Sequence, residues 1–210
     1  MTNTVALTLP GYAGGSQILL YQALNEPGYG AASNLVGLIS TSVRTGNLVI
    51  ALPGSSASIP TGSTGLLQIG AGGQFAIAPG YSALIDTAST TATVFGGSAD
   101  GQLVIAGSGG LAFNAGLGAG TVLGGDAGNY VSVLRGAGAQ YIATGIGDDT
   151  IVATYGNNTI QAGAGSNFIL AQGGADSIVS AGNDLIWCPD GSPTITLLAP
   201  QEPGAGAIQT

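Results

Sequence analysis

The sequence predicts an all-β protein, a parallel β-roll or β-solenoid of nine-residue repeats with an irregular, β-rich N-terminal half. Glycine fills 39 of the 210 positions, only 6% of the residues are charged, and short apolar segments recur at a regular spacing. Because 45% of the residues are apolar, the composition differs from that of disordered chains, which are poor in apolar residues. We therefore expect an ordered chain in which glycine turns separate short strands.

The repeat is clearest from Arg135 onward, where TGIGDDTIV and AQGGADSIV are the most regular nine-residue units. Looser units extend the same phase upstream to about residue 97, and a shorter unit ends at residue 187. Each unit has the pattern of a glycine-rich turn followed by a short strand, and we expect the glycine at position 4 to need a positive φ. Alternation along a strand directs position 8 inward and positions 7 and 9 outward. The residues at position 8 are Val104, Phe113, Val122, Val131, Ile142, Ile151, Ile160, Ile169, Ile178 and Ile186.

The chain divides into three predicted parts. Residues 1–86 form a β-rich N-terminal domain or cap, in which apolar runs of four or five residues lie between glycine, proline and serine and therefore predict strands. Residues 87–188 form the solenoid, and residues 189–210 form a C-terminal strand and tail. No residue of the first part points to a particular chemistry.

The composition excludes several classes of function. Histidine and lysine are absent, Arg44 and Arg135 are the only cations, and Cys188 is the only cysteine. Histidine-dependent triads, Schiff-base chemistry and Cys/His zinc sites are therefore excluded, and we expect no enzyme activity. A net charge of −8 disfavours a nucleic-acid partner. No apolar run reaches the ~18 residues that a membrane-spanning helix needs, and the N-terminus lacks the basic segment of a cleaved secretory signal.

Over about residues 97–187, the units resemble the hemolysin-type calcium-binding repeat of RTX proteins, Gly-Gly-x-Gly-x-Asp-x-U-x, where U is a large apolar residue. The resemblance implies that two units make one 18-residue turn of a parallel β-roll, and that Ca²⁺ is held between turns stacked on the same side. Alternate units then share a side of the roll. The expected inner columns are Ile151, Ile169 and Ile186 on one side, and Ile142, Ile160 and Ile178 on the other.

The resemblance makes the sixth position of each unit the calcium position. Each stacked pair of sixth positions offers at most one carboxylate here, and calcium affinity falls as ligand charge is removed. We therefore expect low-affinity Ca²⁺ sites at most, and no other cofactor. The alternative is structural, because Asn and Asp side chains bond nearby backbone N–H groups and tolerate left-handed conformations in glycine turns, and stacked Asn can form side-chain ladders. The candidate ligands are Asp148, Asp149, Asn167, Asp184, Asn158 and Asp176.

One outer sheet face is unusually apolar. Strand alternation places five large apolar side chains on it, and a soluble monomer seldom leaves so large a patch bare. Residues 194–198, part of the N-terminal half, a second copy of the chain or a different partner could each cover this face. The side chains of this candidate self-association face are Val152, Phe168, Leu170, Leu185 and Trp187.

These features favour a non-catalytic structural protein that self-assembles, as a homo-oligomer or polymer, into a fibre, a surface layer or an extracellular matrix. The alternative function is a calcium-responsive RTX-type folding and secretion module, or an adhesin. Contact with polysaccharide is a further expectation, because flat solenoid faces can serve that purpose. The resemblance implies type I secretion, so the expected location is extracellular or at the cell surface, without a cleaved N-terminal signal.

Overall fold

The computed structural model describes residues 48–51, 64–69, 72–77, 81–86, 89–106, 109–134, 138–198 and 207–209. All the regular secondary structure in these ranges is β, which confirms the predicted fold class. The first strands are β1 (Leu48–Ala51), β2 (Thr64–Ile69), β3 (Gly73–Ala76), β4 (Tyr81–Asp86), β5 (Ala92–Phe95), β6 (Gln102–Ile105), β7 (Leu111–Asn114) and β8 (Gly120–Leu123). The remaining strands are β9 (Tyr130–Val133), β10 (Gln140–Ala143), β11 (Thr150–Ala153), β12 (Thr159–Gln161), β13 (Phe168–Ala171), β14 (Ser177–Ser180), β15 (Leu185–Trp187), β16 (Thr194–Leu197) and β17 (Ala207–Gln209).

Within the described ranges, the strands form two parallel sheets that the chain visits in turn. Sheet A has nine strands in the order β1-β2-β4-β6-β8-β10-β12-β14-β16, and sheet B has eight in the order β17-β15-β13-β11-β9-β7-β5-β3. Each strand from β3 to β15 is followed in the chain by a strand of the opposite sheet. This is the arrangement of a β-solenoid, in which each coil contributes one strand to each sheet.

The predicted inner columns are confirmed. Ile151 pairs with Ile169, and Ile169 with Ile186, in sheet B. Ile142, Ile160 and Ile178 are aligned in the same way in sheet A. All six side chains are fully buried, in one hydrophobic core between the sheets. The core is continuous because one isoleucine cannot be buried within its own unit and packs instead against its equivalents in neighbouring coils.

The glycine prediction is correct for only part of the fourth positions. Gly156 and Gly174 have φ values of +89° and +85°, as expected, but Gly147 and Gly182 are not in the positive-φ region. A Cβ atom on Gly182 would collide with the carbonyl oxygen of Gly165 in the neighbouring coil. Glycine is therefore required at these two positions because adjacent coils approach closely. The described Asn and Asp residues do not adopt positive φ, so they occupy these turns without using the left-handed conformation that they tolerate.

The tail strand does not cover the apolar face. β16 pairs with β14 and places Ile195 opposite Ile178, so residues 188–196 (CPDGSPTIT) form a further nine-residue unit that extends sheet A. Covering the face with residues 194–197 is therefore wrong, because these residues satisfy their backbone hydrogen bonds at the edge of the other sheet. The alternative cover from residues 1–47 lies outside the described residues.

The two sheets also continue upstream of residue 87. β2 pairs with β1 and β4 in sheet A, while β3 pairs with β5 in sheet B. The pairing of β2 with β4 shifts register between Gly65 and Leu66. This irregularity agrees with the absence of a clean nine-residue period in this part of the sequence.

Candidate functional site

From residue 124 onward, the sixth position of each unit holds a buried polar side chain at the end of the turn, where the strand begins. Because the coils are stacked with their turns aligned, these side chains form one row beside each sheet. The buried members are Asn129, Asp149, Asn167 and Asp184 beside sheet B, and Gln140, Asn158 and Asp176 beside sheet A. We call the two rows together the Asx ladder.

The ladder links each coil to the coil before it. In the row beside sheet B, the Oδ1 atom of Asp149 accepts the backbone N–H of Asn129 at 2.7 Å, and the Oδ1 atom of Asn167 accepts that of Asp149 at 2.9 Å. The row beside sheet A repeats the pattern, because Oδ1 of Asp176 accepts the backbone N–H of Asn158 at 2.7 Å. The expectation that Asx side chains stack into a ladder is therefore confirmed.

The asparagine amides supply a second donor to the aspartates. The Nδ2 atom of Asn167 donates to Oδ1 of Asp184 at 2.8 Å, and Nδ2 of Asn158 donates to Oδ1 of Asp176 at 3.0 Å. Asn167 Nδ2 also donates to carbonyl oxygens of its own turn, including that of Ala162 at 3.0 Å. A neutral amide thus faces the carboxylate in these pairs, so the repulsion of two stacked carboxylates does not arise.

A second, solvent-exposed set of bonds runs in the opposite direction along the axis. The Oδ1 atom of Asp148 accepts the backbone N–H of Ser166, 18 residues later in the chain, at 2.7 Å. Asn157 accepts that of Ala175 in the same way at 2.9 Å. Asp148, which the sequence placed among the calcium ligands, therefore joins its coil to the following one from outside the ladder.

Asp149 is the ladder residue with unused hydrogen-bonding capacity. Its side chain is only 2% exposed, yet its Oδ2 atom and the nearby Oγ1 atom of Thr144 both lack a hydrogen-bond partner. Burial raises the pKa of the Asp149 carboxyl, and the nearby Thr144 hydroxyl and the hydrogen bonds from Asn129 lower it in part. In the last ladder position, by contrast, the Ser180 hydroxyl donates to Oδ2 of Asp184 at 2.5 Å.

The buried Asp176 and the half-buried Cys188 are two further groups whose pKa is shifted. Burial raises the pKa of the Asp176 carboxyl, although the hydrogen bonds from Asn158 lower it in part. Burial also raises the pKa of the Cys188 thiol, and the negative charge of Asp176 raises it further. A thiol with a raised pKa is a poor nucleophile because the thiolate is the reactive form. The arrangement does not activate Cys188 for covalent chemistry.

The structure brings the six predicted calcium ligands together only in part. Asp149, Asn167 and Asp184 share one row of the ladder, Asn158 and Asp176 share the other, and Asp148 lies on the outside. Within the described ranges, no three His, Cys, Asp or Glu side chains are close enough to form a metal site by themselves. A site at any of these positions therefore needs amide, hydroxyl or backbone oxygens as further ligands, and the ligand assignment stays a prediction.

Residues 143–178 match the family model of the RTX calcium-binding nonapeptide repeat, in four copies. The match supports the resemblance to RTX-type proteins and Ca²⁺ binding by this part of the chain. The matched segment covers β11, β12 and β13 together with their ladder residues. The chain matches no curated protein and no solved structure.

The residues fit Ca²⁺ better at one turn than along the ladder. The Oδ1 atoms of Asp176 and Asp184 already accept two N–H bonds each, so an ion there would have to displace donors. At Asp149, Oδ2 and the Thr144 hydroxyl are buried oxygens without partners. Asp149 and Thr144 are the residues that would hold the ion, whose charge would compensate the buried carboxylate, whereas Asp148 lies outside the ladder and its Oδ1 atom already accepts the Ser166 N–H. So few charged ligands are typical of low affinity.

Sequence reasoning missed Thr144 and Ser180. Both occupy the first position of a sheet B unit whose ladder residue is aspartate. The sheet B unit between these two has Ala162 at its first position and asparagine as its ladder residue. A hydroxyl thus accompanies a carboxylate beside sheet B, and a methyl accompanies an amide. This pairing was visible in the aligned units as a co-occurrence of residue types within each unit.

The predicted apolar side chains do form one contiguous surface. Val152, Leu170 and Trp187 are aligned on adjacent strands, and Phe168 is aligned with Leu185 beside them. Leu185 is 39% exposed and Trp187 is 47% exposed, while the other three are half-buried. We call these five side chains the apolar stripe of sheet B. In the described part of the chain, no helix has the length and apolar character to cross a membrane.

Proposed function

We propose that this protein is a non-catalytic, extracellular structural β-solenoid that associates with further copies of itself through the apolar stripe of sheet B. The single observation that carries the proposal is the exposure of Leu185 and Trp187 at the end of an aligned apolar row. Strand β16 extends the opposite sheet, and β17 continues sheet B at the edge of β15, so neither strand lies over this row.

A second copy is the occupant that best suits the stripe. The stripe contains no charged residue, and the exposed acids Asp100, Asp126 and Asp148 lie in turns. The net charge of −8 therefore does not concentrate on this surface. Two sheet faces pack about 10 Å apart, and each Å² of apolar surface removed from water contributes about 25 cal/mol. A chain with only two cations can form few ion pairs with a second copy, so apolar contact is the main interaction available to it.

The structural role is supported by the way the coils use their acids. The carboxylates of Asp149, Asp176 and Asp184 hold successive coils together through hydrogen bonds, which is a structural use of these groups. RTX β-roll repeats are typically non-catalytic modules of extracellular or secreted proteins. Both points support a scaffold that acts outside the cell.

Sedimentation velocity over a wide range of protein concentration tests the proposal. The wild-type chain should form species larger than the 20.2 kDa monomer, and the Leu185→Ser/Trp187→Ser double variant should shift them to monomer. The matched control is Leu117→Ser/Ile146→Ser, which removes two exposed apolar side chains from turns. A monomeric wild-type protein, or equal association of both double variants, would contradict self-association through the stripe.

The second candidate function is a calcium-responsive folding module. It is favoured by the family match over residues 143–178 and by the two unpartnered buried oxygens of Asp149 and Thr144. Thermal unfolding followed by circular dichroism, in excess calcium and in chelator, tests it. Calcium should raise the midpoint for the wild type, and Asp149→Ala should remove most of that increase. Identical midpoints in calcium and in chelator would exclude this candidate without affecting the first.

A further inference from the structure

A shallow groove of about 360 Å³ lies beside sheet A, across strands β8, β10 and β12. Part of its lining consists of small residues, namely Gly101, Ala119, Gly120 and Ala139. Gly120 occupies a sixth position, where the neighbouring coils place Gln102 and Gln140. A Cβ atom at Gly120 would lie 3.0 Å from the Gln102 carbonyl oxygen and from Oε1 of Gln140, so the Gln140 side chain occupies the place that a side chain at residue 120 would take.

The walls of the groove carry hydroxyl, amide and aromatic groups. Thr121, Tyr141 and Thr159 lie side by side on adjacent strands, and Asn157 lies at one end. Asn157 uses Oδ1 for the backbone N–H of Ala175. Tyr141 is half-buried, and burial raises the pKa of its hydroxyl, so the group is uncharged at neutral pH. The groove therefore offers one aromatic ring among neutral hydrogen-bonding groups.

The charge distribution restricts the class of ligand. The groove has no charged lining residue, and the chain has ten acids against two cations. Phosphates, nucleic acids and acidic polymers would lack a cation at this site and would be repelled by the net charge. Neutral sugars suit it, because their hydroxyls bond to threonine and asparagine and their apolar ring faces pack against an aromatic ring.

We propose that this groove binds a neutral polysaccharide, with one sugar ring stacked on Tyr141 and its hydroxyls bonded to Thr121, Thr159 and Asn157. The groove crosses three strands at about 4.8 Å per step, which accommodates about two sugar units of an extended chain. The groove lies beside sheet A and the apolar stripe lies on sheet B. Polysaccharide binding therefore does not depend on self-association, and the two can be tested separately.

Native gel electrophoresis with soluble polysaccharide in the gel tests this proposal. At a net charge of −8 the protein migrates towards the anode, so retardation reports binding. The probes are hydroxyethyl cellulose, dextran and soluble starch as neutral polymers, and alginate as an anionic polymer. At least one neutral polymer should retard the wild-type chain, and alginate should not. The experiment is repeated with the Leu185→Ser/Trp187→Ser variant to remove self-association, and retardation should persist.

Two variants of different kinds locate the binding. Tyr141→Ala removes the stacking ring, and Ala139→Gln places a side chain in the groove from an exposed position. Each should weaken binding about tenfold, as expected for the loss of a stacked ring contact of about 1–1.5 kcal/mol. Tyr155→Ala, which changes an exposed tyrosine outside the groove lining, is the control and should bind like the wild type. Absence of retardation by all three neutral polymers, equal retardation by alginate, or retardation unchanged in both groove variants would overturn the proposal.

Discussion

Asn167 donates two hydrogen bonds to a single oxygen atom of Asp184. Its backbone N–H reaches Oδ1 of Asp184 at 3.0 Å, and its side-chain Nδ2 reaches the same atom at 2.8 Å. The pair Asn158 and Asp176 repeats this arrangement beside the other sheet. Both bonds connect one coil to the next, so the ladder contributes to the stacking that the isoleucine columns also stabilise.

The ladder makes a prediction for Asn167→Asp. This change replaces an amide donor by a carboxylate between Asp149 and Asp184, so it removes the Nδ2 hydrogen bonds and adds a like charge. We expect the free energy of unfolding to fall by about 2–3 kcal/mol in chelator, measured by urea denaturation. Added calcium should recover part of the loss, because a third stacked carboxylate makes the row a better calcium ligand set.

Asn157→Asp is the matched control for this experiment. Asn157 is an exposed neighbour of the ladder whose Oδ1 atom, which an aspartate would keep, accepts the Ala175 N–H. Its expected effect is within about 0.5 kcal/mol. An Asn167→Asp chain as stable as the wild type in chelator would mean that the ladder amides do not stabilise the fold.

The raised pKa of Asp149 predicts a pH-dependent contribution to stability. Between the ordinary value of 3.8 and its higher value in the folded chain, the native state binds more protons than the unfolded state. The contribution of this group therefore falls as pH rises through that interval. Asp149→Asn keeps the Oδ1 acceptor and supplies a donor beside Thr144. We expect it to stabilise the chain by about 1 kcal/mol at neutral pH.

The check is urea denaturation of both proteins at neutral pH and near the ordinary aspartate pKa. The advantage of Asp149→Asn should shrink at the lower pH, where the wild-type carboxyl is protonated. Asp126→Asn, at an exposed turn position, should show neither the gain nor the change with pH. A destabilised Asp149→Asn chain at neutral pH would show that the charge at this position is favourable.

The isoleucine columns predict a large effect of truncating Ile160. This side chain is fully buried between Ile142 and Ile178, so Ile160→Ala leaves a cavity in both directions along the column. We expect a loss of about 3 kcal/mol in the free energy of unfolding. Ile146→Ala removes the same atoms from a turn position that is 68% exposed and should cost under about 0.5 kcal/mol. Similar losses in the two variants would contradict the column as the centre of the core.

The close approach of neighbouring coils predicts the behaviour of Gly182. A Cβ atom there meets the Gly165 carbonyl oxygen, and backbone atoms cannot move aside as a side chain can. We expect Gly182→Ala to lower the free energy of unfolding by about 3 kcal/mol, an overpacking cost. Gly101→Ala is the comparison that tests backbone conformation without a steric clash, because Gly101 has φ +77° and open space around it. We expect it to lower the free energy of unfolding by about 1–2 kcal/mol. A larger loss for Gly101→Ala than for Gly182→Ala would contradict the claim that close approach of the neighbouring coil requires glycine at position 182.

The register of the core could be predicted from the sequence. A nine-residue unit with one position that is always apolar, two units to a coil, leaves one alignment that buries the eighth residue of every unit, so Ile151, Ile169 and Ile186 lie in one column. The same nine-residue spacing placed Leu170 and Trp187 on a common outer surface. Side-chain alternation along a strand is local, and the sequence therefore carries it directly.

The ladder was harder to predict in detail. Asparagine and aspartate at the sixth position indicated turns, ladders or metal ligands equally well, because the donor and acceptor of each side chain were unspecified. That Asn167 would donate to Asp184 depends on the distance between two coils. The unpartnered oxygens of Asp149 and Thr144 depend on burial, which the aligned units do not give.

The sequence by itself determined the strand spacing, the inward isoleucines and the apolar outer stripe, since each follows from residue types at fixed positions along one chain. Only the tertiary structure decided that residues 194–197 extend sheet A, that Gly182 is required by a neighbouring carbonyl, and that a groove beside sheet A is lined by both Tyr141 and Asn157. These three features arise between coils that are about 18 residues apart in sequence but in contact in space. The physical reason is that packing distances between coils are set by all the side chains of the stack together.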